Sequence, residues 1–350
     1  MAHTGEERRV AAPGSVTIAD VAGAAGVSTA TVSRVLNGTG TVSEPARERV
    51  LAATRSLGYV SSSAAASLAS GRTRNVGIVV PVLGRWFFSS VVEGAQGALA
   101  AVGYDVTLYN LHRGGDERER VFTDFLRRQR VDGVIAVALE LSGTEVANLH
   151  SVGKPVVGLG GAIADVPTFQ VDNLAIARVA AEHLIALGHR RIAHLGSEPD
   201  SPTAFRLGEN RYEGYVETMR AHGLDAAPNT HTADFTVAGG RAAGLRMLSA
   251  RDRPTAVFAA SDEMAIGLLL AARELGLSIP RDLSIVGVDD HELSAAIGLT
   301  TVAQHPEQQG AKVADLLISL LNPSADDAAT GTGSLPHDLI VRDTTAPPAP

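Results

Sequence analysis

From Val76 onward the chain alternates two textures, and no other feature restricts its fold as much. Short apolar runs, VGIVVP (76–81), YDVTLYN (104–110), VDGVIAVAL (131–139) and KPVVGLG (154–160), are separated by helical segments such as VEGAQGALAAVG (92–103) and ERVFTDFLRRQR (119–130). A second series has the runs RRIAHLG (190–196), TAVFAAS (255–261) and LSIVGVDD (283–290). Its helical segments are ARVAAEHLIALG (177–188), NRYEGYVETMRAHG (210–223) and MAIGLLLAARELG (264–276). Apolar strands joined by helices of this length imply parallel sheets with helices on both faces. Two series predict two lobes. Ligands of such sheets bind at the carboxyl ends of the strands, here in the cleft between the lobes.

The bulk numbers agree with a body of this kind. The chain has 350 residues, 45% apolar and 19% charged, which suits two or three soluble domains. No apolar run approaches 18 residues, so no membrane helix is expected. The N-terminus MAHTGEERRVAAPGSVT lacks the apolar stretch of a secretory signal. Cysteine is absent, which removes disulfides and thiol chemistry and fits a reducing cytoplasm.

Charge is uneven. Residues 1–75 hold eight Arg and five acidic residues, net +3, so the remaining 275 carry −11 of the total −8. A basic head on an acidic body suits a head that meets phosphates.

That head reads as three short helices after a disordered stretch over 1–15. Thr17-Ile18-Ala19-Asp20 has capping-box spacing, so the first helix begins at Ile18 and ends at Gly26. Ser28 caps a second helix to about Leu36; Ser43 caps a third, with Pro45 in its first turn and Gly58 closing it. Ile18, Val21, Ala22, Ala25, Val32, Val35, Leu36, Val50 and Leu57 are spaced to share a small core. Helix, glycine turn and a helix opening on polar residues make a helix-turn-helix, whose second helix enters the major groove by its N-terminal residues. Thr29, Ala30 and Arg34 would then face base edges. Thr17, Ser28, Thr31, Ser33 and Asn37 would bond phosphates. A plain three-helix bundle without ligand is the alternative reading of the pattern. The small-residue stretch 61–74, with one large apolar residue, Leu68, reads as a linker or weak helix.

The run VTIADVAGAAGVSTATVSRVLN, the Val42-Ser43 turn and RERVLAATRSLGYV resemble the headpiece of LacI-family transcription repressors. Body motifs in the family's order extend the resemblance over about residues 16 to 345, among them GYDVTLYN, HLIALGHRRIAHLG, VFAASDEMAIGLLLAARELGL and IPRDLSIVGVDD. The resemblance implies a two-lobe periplasmic-binding-protein-like sensor, α/β with parallel sheets, preceded by an all-α helix-turn-helix headpiece. It implies a homodimer on a near-palindromic operator and a small-molecule effector in the cleft. Tyr59 joins the DNA-facing set. The linker becomes a helix on DNA, Leu68 wedges into the minor groove, and Ala65 supplies the small residue where hinge helices pack. Ser61-Ser62 stand where many members have Pro-Asn.

For the cleft, the resemblance carries over Arg211 as a donor to ligand hydroxyls, Asp289 as their acceptor and Gln304 as a polar residue at a lobe crossing. Phe88 and Phe235 fall at its apolar walls, Trp86 either stacks on a sugar face or takes a packing role, and Ser261 stands where many members have Asn. An Arg–Asp pair suits a polyhydroxylated ligand, so a sugar is the leading effector class. Gly160-Gly161 replace charged residues of several sugar-binding members, which leaves a nucleobase, a phosphorylated metabolite or a partner protein open.

The expected divisions are a tail over 1–15, a headpiece over 16–60, a hinge over 61–74, an effector and dimerisation domain over 75–345, and a disordered tail over 346–350. Lobe 1 takes about 75–170 and 303–325; lobe 2 takes 171–302 and 326–345. An enzyme is not expected: GLGGA (158–162) fails GxGxxG at Ile163, and GxSxG, HExxH and P-loop motifs are missing. No cofactor or metal is expected, since four adjacent residues such as Asp289–Glu292 rarely converge on one ion. A transport solute-binding protein is the other alternative, with a fold that would fit but no signal segment.

Overall fold

The computed structural model describes residues 16–37, 40–59, 71–111, 115–128, 130–139, 141–197, 206–226, 230–322 and 333–349. It divides into two units, one ending at Arg74 and the other beginning at Asn75. Ala65 and Leu68 lie outside the described residues, as does the stretch 1–15.

In the first unit, helix α1 spans Ile18–Ala25. Thr17 Oγ1 donates to Asp20 Oδ2 at 2.7 Å and the Thr17 amide donates to the same oxygen at 2.8 Å, completing a capping box. Gly26 ends the helix at φ 63°, where a side chain would be strained. Helix α2 covers Thr29–Asn37, with Ser28 Oγ accepting from the Thr31 amide at 3.2 Å. Helix α3 covers Glu44–Leu57. Ser43 precedes it without a side-chain cap bond, contrary to the expectation; Pro45 and Glu44 start this helix instead. Val21, Ala22, Ala25, Val32, Val35, Val50 and Ala53 form the core, with Ile18, Leu36 and Tyr59 packed against it. Leu57 was expected there but is 36% exposed, because Ala53, one turn earlier, takes the inward position.

The second unit holds two six-stranded sheets. In the first, the order is β11-β5-β4-β3-β1-β2, with β1 Asn75–Val80, β2 Asp105–Asn110, β3 Gly133–Val137, β4 Val156–Gly160, β5 Thr168–Gln170 and β11 Gly333–Ser334. In the second it is β12-β10-β9-β8-β6-β7, with β6 Ile192–Ser197, β7 Thr230–Ala233, β8 Ala256–Ala259, β9 Ser284–Asp289, β10 Thr300–Ala303 and β12 Asp338–Ile340. Among the described strands all pairs are parallel except β10 with β12. Strands buried on both faces need continuous apolar sequence, which is why β1, β3 and β8 show almost no polar alternation.

The chain crosses between lobes after Gln170, after Ala303 and between Ser334 and Asp338. Residues 326–345 were expected in lobe 2 throughout. Gly333 and Ser334 instead pair with Phe169 and Gln170 in the lobe 1 sheet, because the third crossing lies later in the chain. The expected disordered tail is also corrected. The Ala346 carbonyl accepts from His189 Nε2 at 2.9 Å and from Ser284 Oγ at 3.0 Å, and its amide donates to Ser284 Oγ at 3.1 Å. A proline-rich end makes few bonds of its own, and here buried His189 and Ser284 supply them.

Helices pack through glycine. Helix α4 (Trp86–Ala101) meets α11 (Pro306–Leu321) where a Cβ on Gly94 would lie 1.9 Å from Glu307 O, and one on Gly310 2.0 Å from Val91 O. Helices α9 (Val237–Leu248) and α10 (Asp262–Glu274) approach the same way at Gly240 and Gly267.

Candidate functional site

Helix α2 presents one polar face. Ser28, Thr29, Ala30 and Arg34 are exposed, Thr31 and Ser33 are half-buried, and Val32 and Val35 face the core. A period of 3.6 puts residues 29, 30, 33 and 34 on one side of the helix, away from 32 and 35. Thr17 is exposed and Tyr59 half-buried. Asn37 ends the helix.

The second region is the cleft between the sheets. Lobe 1 contributes Val82, Phe87, Phe88, Val137, Ala138, Leu159 and Gly160, all without a polar side chain, together with Arg85 and Gln309. Lobe 2 contributes Arg211, Asp234, Phe235, Ser261, Glu263 and Asp289; Gln304, after β10, completes the floor. Six of the seven expected cleft residues therefore meet. Trp86 does not line the cleft: its ring lies 4.9 Å from that of His291. Helix α4 begins at Trp86, and each helical step turns the side chain by about 100°, so Phe87 and Phe88 take the inward direction. Arg85, Phe87, Asp234, Glu263 and Gln309 are cleft residues that were not singled out; the run RWFF at a strand-to-helix turn was the available signal.

The side chains are held from behind. Arg211, on helix α8 (Arg206–Ala221), is 4% exposed; its Nε donates to Asn173 Oδ1 at 2.9 Å and its Nη1 to the Ala260 carbonyl. Asp289, at the end of β9, accepts from Gln304 Nε2. Ser261 Oγ accepts from the Met264 amide at 3.3 Å and so caps α10. Asp262 turns away from the cleft and accepts from Ser294 Oγ and Thr301 Oγ1, both at 2.7 Å, and from the His291 amide at 2.9 Å. It ties the 290–294 turn to α10. Ala138, Phe235 and Asp289 have φ of 46°, 53° and 117°, so strained backbone collects at the cleft lining. Among the described residues the lobes also touch directly, through the tilted Trp86–His291 ring contact and a bond from Arg85 Nη2 to Asp234 O at 3.1 Å.

Burial dominates the electrostatics. It pushes the Asp289 carboxyl up to about 8 despite the Arg211 guanidinium, and the Asp262 carboxyl up to about 7 against three hydrogen bonds. Burial lowers Arg211 and raises Glu263. His194, on β6, drops to about 3 for the same reason. Raised carboxyl pKa values mean that the folded state holds protons the unfolded chain has released. Their stabilisation is full below about pH 4 and is lost as pH rises through 7 and 8. The lowered histidine acts between pH 3 and 6.5 and weakens the fold on acidification there. The ligand-free protein should therefore lose thermal stability from pH 6.5 to 9, and Asp289→Asn should flatten that slope. A melting temperature that rises over this window would contradict the burial of these carboxyls.

Among the described residues no group of three or more His, Cys, Asp or Glu could hold a metal ion. No helix among them is long and apolar enough to cross a membrane.

Comparison with known proteins places both regions. Residues 17–62 match the model for bacterial regulatory proteins of the lacI family, and residues 181–345 match a periplasmic binding protein-like domain. Catabolite control protein A of Priestia megaterium is 32% identical over 337 residues, covering 95% of this chain and 99% of that protein. The ribose operon repressor of Halalkalibacterium halodurans is 35% identical over 332 residues, covering 94% and 97%. The crystal structure of the lac repressor dimer bound to operator and the anti-inducer ONPF is similar at a TM-score of 0.81 and 30% identity, covering 95% of this chain and 99% of that one. With its helical head, its two-sheet body and relatives above 30% identity along nearly its whole length, the chain belongs to the lacI family of bacterial regulatory proteins.

Proposed function

We propose that the protein is a sequence-specific DNA-binding repressor, not an enzyme, that works in the cytoplasm. It binds a near-palindromic operator as a homodimer and answers to a small, polyhydroxylated effector in the cleft. The observation that carries the reading is the exposed polar face of α2, with Thr29, Ala30 and Arg34 on one side of a helix that follows a glycine turn. Arg34 reads a guanine edge, Thr29 and Ala30 meet neighbouring bases, and Thr17, Ser28, Thr31, Ser33 and Asn37 position the helix on phosphates. Tyr59 steadies the headpiece core, Leu68 is the minor-groove wedge, and Ala65 is the small residue where hinge helices pack. Repression is supported by the named relatives, the ribose operon repressor among them.

The cleft supports control by ligand. Its Arg211, Asp289 and Gln304 offer donors and an acceptor in a buried floor, and Phe88 and Phe235 offer ring faces. A ligand moves the lobes only as far as its affinity differs between their two arrangements. Arg34→Ala should weaken specific binding by roughly 1–3 kcal/mol and relax preference at one base pair per half-site. Titration against operator variants checks this, and an unchanged preference removes the assigned docking. Thermal stability against sugars, sugar phosphates and nucleobases tests the cleft: a ligand at 100 times its Kd adds about 2.7 kcal/mol to the folded state.

A further inference from the structure

One buried hydrogen-bond acceptor of the cleft lining meets no donor among the described residues. Gln309, on α11, is 2% exposed and lines the cleft. Its Nε2 donates to the Gln304 carbonyl at 2.6 Å. A carbonyl only accepts, so the amide orientation is fixed and Oε1 is the other end. That Oε1 is buried with no hydrogen-bond partner among the described residues. Across the cleft, no hydrogen bond or ion pair from the described residues reaches the half-buried Glu263 carboxylate; it senses Arg85 only at a distance. Asp234 and Asp289 add two further carboxyls to the lining. Part of the donor capacity opposite is spent within the protein, Arg211 on Asn173 and Ala260, Arg85 on the Asp234 carbonyl and Gln304 on Asp289, and among the described residues none of these donors reaches Gln309 Oε1 or Glu263. A buried acceptor without a donor leaves its desolvation cost uncompensated. A ligand that brings donors recovers that cost; one that brings an anion meets the Glu263 and Asp234 carboxylates.

We propose that the effector carries an amine, received by Gln309 Oε1 and Glu263, on a frame that the Arg211–Asp289–Gln304 floor holds. This rests on reading the cleft as the effector site. An amino sugar and an amine-bearing nucleoside share the chemistry, and the test separates them.

The experiment is calorimetric titration of the full chain with matched pairs that differ at the amine: glucosamine and glucose, galactosamine and galactose, adenosine and inosine, cytidine and uridine. In at least one pair the amine-bearing member should bind about tenfold tighter or better, and the pair that responds identifies the frame. Gln309→Met should weaken that member by about tenfold. The same variant also loses the bond to the Gln304 carbonyl, so the amine-free member is its control and should bind the variant as it binds the parent. Equal or tighter binding of the amine-free members, no binding by any pair, or amine binding indifferent to Gln309→Met overturns the proposal. Amine-free binding that Arg211→Ala abolishes overturns it while leaving the cleft reading intact. Amine binding that survives Arg211→Ala overturns both.

Discussion

Replacing Arg211 by alanine should cost effector affinity at least about 100-fold and erase the ligand's effect on DNA binding, with DNA affinity in the absence of ligand unchanged. The size follows from two features. The guanidinium is buried, so its charge-assisted bonds to a ligand work in a low-dielectric space, each worth about 1.5–3 kcal/mol. It is also held by Asn173 and Ala260, so little ordering is left to be done on binding. Arg211→Met keeps much of the volume and removes the charge, and it should fail in the same way. Titration of each variant with the effector, and of its DNA complex, reads both arms. A variant that binds and responds like the parent removes Arg211 from the site.

A large effect on stability is expected of Gly310→Ala. Its Cβ would sit 2.0 Å from the Val91 carbonyl oxygen, against helix backbone that cannot rotate away. Overpacking costs typically 1–3 kcal/mol, and roughly 3 or more is expected where the obstacle is main chain. Helices α4 and α11 would have to part, and with them the layer beneath the Phe88 and Gln309 side of the cleft. Gly97→Ala, on the same α4 helix with open space around its Cβ, should instead stabilise by roughly 0.5–1 kcal/mol. Denaturant unfolding of the two variants makes the comparison. Similar stabilities for both would mean that these helices do not meet at Gly310.

Much of this was legible from the sequence, for identifiable reasons. Parallel strands buried on both faces must be apolar throughout, so β1, β3, β4 and β9 stood out as runs. Short β5 and the edge strand β7 did not, because Thr168–Gln170 and Thr230–Ala233 carry polar residues that only their neighbours make strand-like. Thr17, Asp20, Gly26 and Gly58 revealed helix ends because capping is local chemistry. The lobe to which 333–334 belongs depends on a pairing with β5, more than 160 residues earlier, and no local signal carries it. The same division holds in the cleft. Arg211, Asp289 and Gln304 were found through a resemblance, and Phe88 and Phe235 with them. Gln309 and Glu263 escaped because their significance lies in missing partners, which only a three-dimensional arrangement can display. Trp86 was left between a ligand and a packing role because one helical step decides which of three adjacent rings face inward.

The central claim is that α2 reads DNA sequence. Its most direct test is selection of the full-length protein against a pool of random duplexes at physiological salt, repeated with Arg34→Ala. The account predicts enrichment of one two-fold symmetric motif, with preference lost at one position in each half-site in the variant. Recovery of an unselected pool, or of the same motif undiminished by Arg34→Ala, would contradict it.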